Sequence, residues 1–299
     1  MDFLRAHAAK IAIAIVTLFV VLLLGEQLIV NRSHRMNTDV SASSSSQQSG
    51  DASPASANTS APSVATIPTY GIEVVRSIPH DSHAFTEGLL FHNGDLYEST
   101  GLHGQSSLRK LDPQTGKILK RLNIDAAYFG EGIVIVKDKI YQLTYQTGIG
   151  FVYDLKTFEQ VRTFSYFGEG WGLTYNGESI IMSDGTSSLR FLDPDSLLIR
   201  KMLTITANGV PVKNLNELEI INGELWANVW QTDSIARINL QTGVVTGWID
   251  CSSLLTPEER SGIDVLNGIA YDAKRDVILL GWKNCSKMFE VRLKSKEKM

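Results

Sequence analysis

The sequence predicts an all-β fold: a five-bladed β-propeller whose N-terminal strand closes the last blade, set behind a membrane anchor and a flexible tether. Three observations predict it: an internal repeat, three strands in each repeat unit, and a sharp compositional change before the first unit. From Thr86 onward the pattern recurs five times, as TEGLLF at Thr86, GEGIVI at Gly130, GWGLTY at Gly170, LNELEI at Leu215 and LNGIAY at Leu266. The steps between them run from 40 to 51 residues, the length of one propeller blade.

The elements follow in chain order. Ile11 to Val30 carries a single charged residue, Glu26, and is long enough for the hydrocarbon core of a bilayer, about 30 Å at about 1.5 Å per residue. Arg5 and Lys10 precede it, and no A-x-A-like cleavage site follows. Residues 1–35 therefore read as an uncleaved signal-anchor, with a cleaved signal peptide as the alternative. The folded part is expected on the non-cytoplasmic side of a single-pass anchor, or secreted if the segment is removed. Residues 36–69 are rich in Ser, Ala, Thr, Gln and Pro, a composition that cannot bury enough apolar area to offset chain entropy, so a disordered tether is expected. The catalytic domain is expected over residues 70–299.

Within it, each repeat opens with an apolar strand, turns, and continues with a second: DLYEST, KIYQLTY, SIIMSDG, ELWANVW and VILLGWK. A third run follows in every unit, often ending in DP or TG turn pairs. The fifth unit stops at Leu293 after three strands, and Tyr70 to Pro79 (YGIEVVRSIP) is left over to supply the missing outer strand and close the ring. TPEE at Thr256 to Glu259 is a capping box with Pro at the first helical position, which predicts a short helix before the fifth unit.

Aligned on the repeat, the second positions are Glu87, Glu131, Trp171, Asn216 and Asn267. They should ring one mouth of the central channel. The ends of the second strands return to the same mouth with Gly101, Tyr145, Gly185, Trp230 and Lys283, and Phe85 and Phe129 should sit just above the ring. FGEG occurs twice, but in this register Glu169 lies two residues before Trp171 and is not equivalent to Glu131. Each residue alone has a plainer reading as packing, turn support or a surface charge. Their shared repeat position favours a pocket. Two neighbouring carboxylates cannot both ionise easily, so one should hold a proton near neutral pH, which general acid/base work needs.

Taken together, AFTEGLLF, YESTGLHGQSSLRKLD, FGEGI, GWGLTY, LNELE, ANVWQTD and LNGIAYD resemble the plant-type and bacterial glutaminyl-peptide cyclotransferases, or glutaminyl cyclases. The resemblance covers residues 70 to 293. It implies a five-bladed propeller that turns the N-terminal Gln of a peptide into pyroglutamate and releases ammonia. It places the catalytic glutamate on Glu131 and the pocket aromatics on Phe85, Phe129, Trp171 and Trp230. Its polar contacts fall on Asn216 and Lys283, and the ring position adds Glu87 and Asn267 as substrate-binding candidates. Departures from the family pattern are Glu87, where plant members have Gln, Tyr145, where many have Trp, and Cys285, where a Trp is usual. Cys251 likewise stands where relatives have an aliphatic residue, and a Cys251–Cys285 bridge is expected if the compartment is oxidising.

Composition bounds the rest. A net charge of −4 and 43% hydrophobic residues give no reason to expect nucleic-acid binding, and two cysteines exclude a disulfide scaffold. No His pair at ligand spacing occurs in the repeats, so no catalytic metal or required cofactor is expected, although a structural calcium in the channel is compatible with the ring. Expected partners are peptides with N-terminal Gln, and the membrane through the N-terminal segment; a monomer is expected. Two other functions fit the ring: a calcium-dependent lactonase-like hydrolase using Glu87, Glu131, Asn216 and Asn267 as ligands, and a peptide-binding propeller with no chemistry.

Overall fold

The computed structural model describes residues 66–294, all β-strand and connecting turn. The predicted anchor over residues 1–35 and most of the predicted tether lie outside the described residues. Five sheets are present, one for each repeat unit; four are plain four-stranded blades and the other is enlarged to seven strands. Blade 1 comprises Thr86–His92, Asp95–Thr100, Ser107–Leu111 and Ile118–Asn123, each antiparallel to the next. Blade 2 runs from Gly130–Val136 through Lys139–Thr144 and Ile149–Asp154 to Gln160–Ser165. Blade 3 has short inner strands, Leu173–Tyr175 and Ile180–Met182, followed by Ser188–Leu192 and Ile199–Thr204.

Blade 4 is the enlarged sheet. Its four main strands are Leu215–Ile221, Glu224–Val229, Ser234–Asn239 and Val244–Asp250. The outermost also pairs in parallel with Thr69–Tyr70 and with Thr206–Ala207, which in turn makes a hairpin with Val210–Pro211. The end of the predicted tether is thus part of the fold. Ile67 packs on the apolar cluster shared by blades 3 and 4, and the Tyr70 ring lies under the Arg237 guanidinium at 4.9 Å. Ile67 and Tyr70 are large enough to bury, unlike the Ser and Ala residues before them.

Blade 5 contains Leu266–Asp272, Val277–Trp282 and Lys287–Leu293 from the C-terminal end of the chain, and Ile72–Pro79 from the N-terminal side as its outer strand. The ring is closed by that antiparallel pairing, as the leftover YGIEVVRSIP run predicts. The predicted helix at TPEE is absent: residues 257–262 form turns. The capping box itself is made, with Thr256 N–H donating to Glu259 Oε2 at 3.0 Å and Glu259 N–H to Thr256 Oγ1 at 3.3 Å. Gly262 at φ +81° follows within one turn, so the nucleus has no length over which to propagate.

Neighbouring blades pack through apolar clusters, and the channel between inner strands is narrow. Gly132 shows how narrow: a Cβ there would meet the Trp171 carbonyl oxygen at 2.5 Å. Glycine in this column lets adjacent inner strands approach, and Gly132 N–H donates to that same carbonyl at 2.7 Å. In blade 4 the column holds Glu217, whose buried carboxylate reaches across the channel to accept N–H groups of Leu89 in blade 1 and Ile269 in blade 5.

Candidate active site

The inner strands carry a shared irregularity. In blades 1, 2, 4 and 5 the inner strand gains one residue on its partner, between Thr86 and Gly88, Gly130 and Ile133, Leu215 and Leu218, and Leu266 and Ile269. These are β-bulges, and Glu87, Glu131, Asn216 and Asn267 sit on them. A bulge interrupts the ladder and re-aims a side chain; Glu87, Glu131 and Asn216 reach the channel mouth, and Asn267 turns toward Glu87.

Eight of the nine residues expected at the catalytic or substrate-binding positions line one cavity of about 250 Å3: Phe85, Glu87, Phe129, Glu131, Trp171, Asn216, Trp230 and Lys283, joined by Tyr145 and Asp264. This is at the small end of ligand pockets, suited to one side chain and its backbone amine rather than a length of peptide. Asn267 does not line it. Its side chain is fully buried behind Glu87, where Nδ2 donates to Glu87 Oε2 at 3.1 Å and to the Thr86 carbonyl at 3.0 Å. It holds the ring carboxylate and has no face toward a substrate. Asp264 was missed because it lies in the loop before the repeat pattern begins, three residues ahead of Asn267.

The floor is charged. Lys283 Nζ donates to Glu87 Oε1 at 2.6 Å, and both side chains are almost wholly buried. Glu131 shares a hydrogen bond with Glu87. Burial, then the charge of Glu87, pushes the Glu131 carboxyl well above the ordinary value of 4.5, with Lys283 acting against this. Burial also raises Glu87, but the ammonium and the Asn267 amide both favour its anion. Glu131 is therefore the member that carries the proton. Its backbone is fixed from behind: Ser99 Oγ donates to the Glu131 carbonyl, Gln142 Nε2 to Ser99 Oγ at 2.8 Å, and Tyr153 OH to Gln142 Oε1 at 2.9 Å.

The walls are aromatic. Phe85 and Phe129 meet edge to face at 6.0 Å, Trp171 and Trp230 do so at 5.5 Å, and Lys283 Nζ lies 4.5 Å from the Phe85 ring centre. The glycines at the second-strand ends make room for these rings. A Cβ on Gly101 would meet Phe129 Cε1 at 2.3 Å, and one on Gly185 would meet Trp171 Cζ2 at 2.6 Å. Glu169 also finds its place: it accepts the Trp171 indole N–H at 2.9 Å and the Gln146 amide at 3.0 Å, so it orients the tryptophan from outside. Asn216 is buried on the pocket wall, and its Oδ1 has no hydrogen-bond partner among the described residues.

The expected bridge is not formed. Cys251 and Cys285 are free, buried thiols in the apolar cluster of blades 4 and 5. Burial raises both thiols above their ordinary value and keeps them protonated, as small apolar groups filling the cluster.

A family model described as glutamine cyclotransferase matches residues 47–293. The chain belongs to the glutamine cyclotransferase family. It is 44% identical over 228 residues to a glutaminyl-peptide cyclotransferase of Arabidopsis thaliana, spanning 75% of this chain and 71% of that one. The crystal structure of Myxococcus xanthus glutaminyl cyclase superposes with a TM-score of 0.70 at 33% identity, covering 78% of this chain and all of that one.

Proposed function

We propose that this chain is a glutaminyl-peptide cyclotransferase, which cyclises the N-terminal Gln of peptides to pyroglutamate and releases ammonia. The observation that carries the reading is the Glu131–Glu87–Lys283 cluster on the floor of an aromatic pocket sized for one side chain, in a member of this family. The reaction joins two groups of the same residue, so proximity is largely built into the substrate. The α-amine attacks the γ-carboxamide carbon, a C–N bond forms, and the original C–N bond breaks as ammonia leaves. One proton must move from the attacking nitrogen to the departing one.

Glu131 is placed to carry it. A protonated carboxyl accepts at one oxygen while donating from the other, so it takes the amine proton and supplies the leaving nitrogen with no net change of charge. Asn216 Oδ1, buried and unpartnered, is free to accept from the substrate amine or amide. Lys283 and the indole N–H of Trp230 are candidates to hold the γ-carbonyl oxygen as it becomes tetrahedral. Trp171 has its N–H committed to Glu169 and offers a ring face to the side chain.

The lactonase-like alternative fares less well, because the ring's Glu87 is bonded to an ammonium and Asn267 is turned away from the pocket. Among the described residues no group of three or more His, Cys, Asp or Glu is arranged to hold a metal. The cyclase reading requires none, and undiminished turnover in a chelator would bear this out. The apolar segment Ile11 to Val30 further supports action outside the cytosol on a membrane tether, testable by fractionation and N-terminal sequencing.

The test is ammonia release from a Gln dipeptide by the wild type and by Glu131→Ala. The variant should stay folded and lose about 10²- to 10⁴-fold in turnover, the range for removal of a general acid/base. A wild type that releases no ammonia would remove the cyclase reading; a fully active variant would remove Glu131 from it.

A further inference from the structure

Behind the pocket floor lies a second buried charge cluster, on the seam where the N-terminal strand closes the ring. His80 follows Pro79, the last residue of that strand, and its side chain is 1% exposed. Its Nε2 lies 2.8 Å from Glu98 Oε1, and its Nδ1 lies 2.9 Å from the Cys285 carbonyl oxygen. Glu98 is fully buried on the second strand of blade 1 and also accepts from Thr86 Oγ1 at 2.8 Å and Arg109 at 3.4 Å. Arg109 reaches Asp81 Oδ2 at 3.0 Å. The cluster sets His80 and Arg109 against two carboxylates, Glu98 and Asp81.

Two features connect this cluster to the pocket. Thr86 immediately precedes Glu87, so Glu98, by accepting from the Thr86 hydroxyl, holds the residue next to the ring carboxylate. Cys285 stands two residues after Lys283, in the turn leading to the last strand, and His80 holds that turn from both its ring and its backbone, since His80 N–H donates to the Ser286 carbonyl at 2.8 Å. Asn284 N–H adds a bond to the Ala84 carbonyl at 2.7 Å.

A carbonyl oxygen only accepts, and a carboxylate paired with arginine and threonine donors also accepts. Both ring nitrogens of His80 must then donate, which only the imidazolium can do. We infer that His80 is a charged positioning residue, a doubly donating imidazolium that spans blades 1 and 5 and fixes the Lys283 ammonium against Glu87. It does not touch the substrate. It acts by setting where the ammonium sits, and through it the proton affinity of the Glu87–Glu131 pair. Burial opposes its charge, but Glu98 outweighs this and raises His80 above its ordinary value of 6.5. A group raised in this way stabilises the seam below the unfolded value, and that contribution is lost as pH rises through the folded one. Facing it are Glu98, Arg109, Asp81 and the Cys285 carbonyl; facing the carboxyl pair are Lys283, Asp264 and Glu169.

The inference rests on the cyclase reading only for its kinetic arm, so the deciding measurements use no substrate. In the full chain with labelled histidine, nitrogen NMR should show both His80 ring nitrogens protonated at neutral pH. A neutral tautomer there overturns the inference. Carboxyl carbon NMR then follows Glu87 and Glu131 through a pH titration in wild type, His80→Gln and His80→Ala. Loss of the fixed ammonium should raise the midpoint of the pair by about one unit in His80→Ala. His80→Gln, which can donate to one partner only, should fall between and serves if the alanine variant does not fold. Folded variants with an unshifted midpoint would refute the positioning role. In the kinetic arm the alkaline limb of kcat/KM should move upward with that midpoint, a change that mere loss of stability does not produce. Failure of all variants and wild type to release ammonia would count against the cyclase reading and leave the titration result standing.

Discussion

Replacing Glu87 by Gln tests the carboxyl pair most directly, because it keeps the size of the side chain and removes its charge. In the wild type Glu87 is bonded to Lys283 at 2.6 Å and to Asn267 at 3.1 Å, and it shares a hydrogen bond with Glu131. The substitution removes one negative charge from beside Glu131 and frees the Lys283 ammonium to face Glu131 instead. Two unit charges about 4 Å apart at an effective dielectric constant of about 20 interact by about 4 kcal/mol. At about 1.4 kcal/mol per pKa unit that is about three units. Lys283 already offsets part of the Glu87 charge, so about one to two units is the net expectation. Glu131 works as the protonated acid, and its pKa should set the alkaline limb of the rate profile. Glu87→Gln should therefore retain turnover below the limb within a few-fold while moving the limb to lower pH by about one to two units. The assay is ammonia release from a Gln dipeptide across the pH range, with near-UV circular dichroism to establish folding. A folded variant that is inactive, or whose limb does not move, would refute the shared-proton account.

Other perturbations give distinct readouts. Gly101→Ala should push the Phe129 ring off its seat, since its Cβ would lie 2.3 Å from Phe129 Cε1, and should lower kcat/KM by about 10- to 100-fold with the fold retained; wild-type kinetics would mean the ring has room to move. Glu169→Gln should weaken the hold on the Trp171 indole and raise KM more than it lowers kcat, a split that steady-state kinetics resolves. Glu219, pushed up to about 8 mainly by burial, binds a proton in the folded state that the unfolded chain releases from about 4.5. Stability should thus fall with rising pH over that window by up to about 1.4 kcal/mol per unit, and Glu219→Gln should flatten the slope in urea titrations. A thiol titration of unreduced, denatured protein should count two free cysteines; a count of zero would restore the bridge.

How much of this was legible in the sequence depends on what sets each feature. Strand order and ring closure were, because alternating apolar runs and turn pairs are local signals repeated five times, and the unassigned strand before Thr86 had one vacant edge to fill. The pocket membership of Glu87, Glu131, Trp171 and Lys283 followed from repeat register alone. What was not legible is set by three-dimensional approach. Asn267 shares the register of Asn216, yet its bulge turns it behind Glu87, and nothing in the letters LNGIAY distinguishes it from LNELEI in this respect. Asp264 enters from an irregular loop. The helix at TPEE was over-read, because a capping box stabilises a nucleus but cannot extend it past Gly262. The tether boundary was placed a few residues late, since Ile67 is a single apolar residue whose partners are supplied by blades 3 and 4.

Glu217 shows why this channel can support a buried charge cluster at all. Inner strands of a propeller converge, and their bulged ladders leave backbone N–H groups facing a space too narrow for water to serve them freely. In four blades a glycine relieves the crowding. In the remaining one Glu217 fills the space, and its two oxygens accept the Leu89 and Ile269 N–H groups from the blades across the channel. Burial, with Glu219 nearby, raises its carboxyl well above the ordinary value, while those two donors act to lower it. The residue thus plugs the channel immediately beneath the ring and joins three blades. Glu217→Gln keeps the size but replaces one acceptor by an amide donor facing an N–H group, which leaves a buried polar clash. It should cost about 1 to 3 kcal/mol of stability. Glu217→Gly should restore the glycine column but lose both acceptors and open the channel. If the plug matters to the pocket above, the glycine variant should be less stable and should also lose water exclusion at Glu131, moving the alkaline limb of its rate profile downward. A destabilised variant with an unshifted limb would confine Glu217 to holding the blades together.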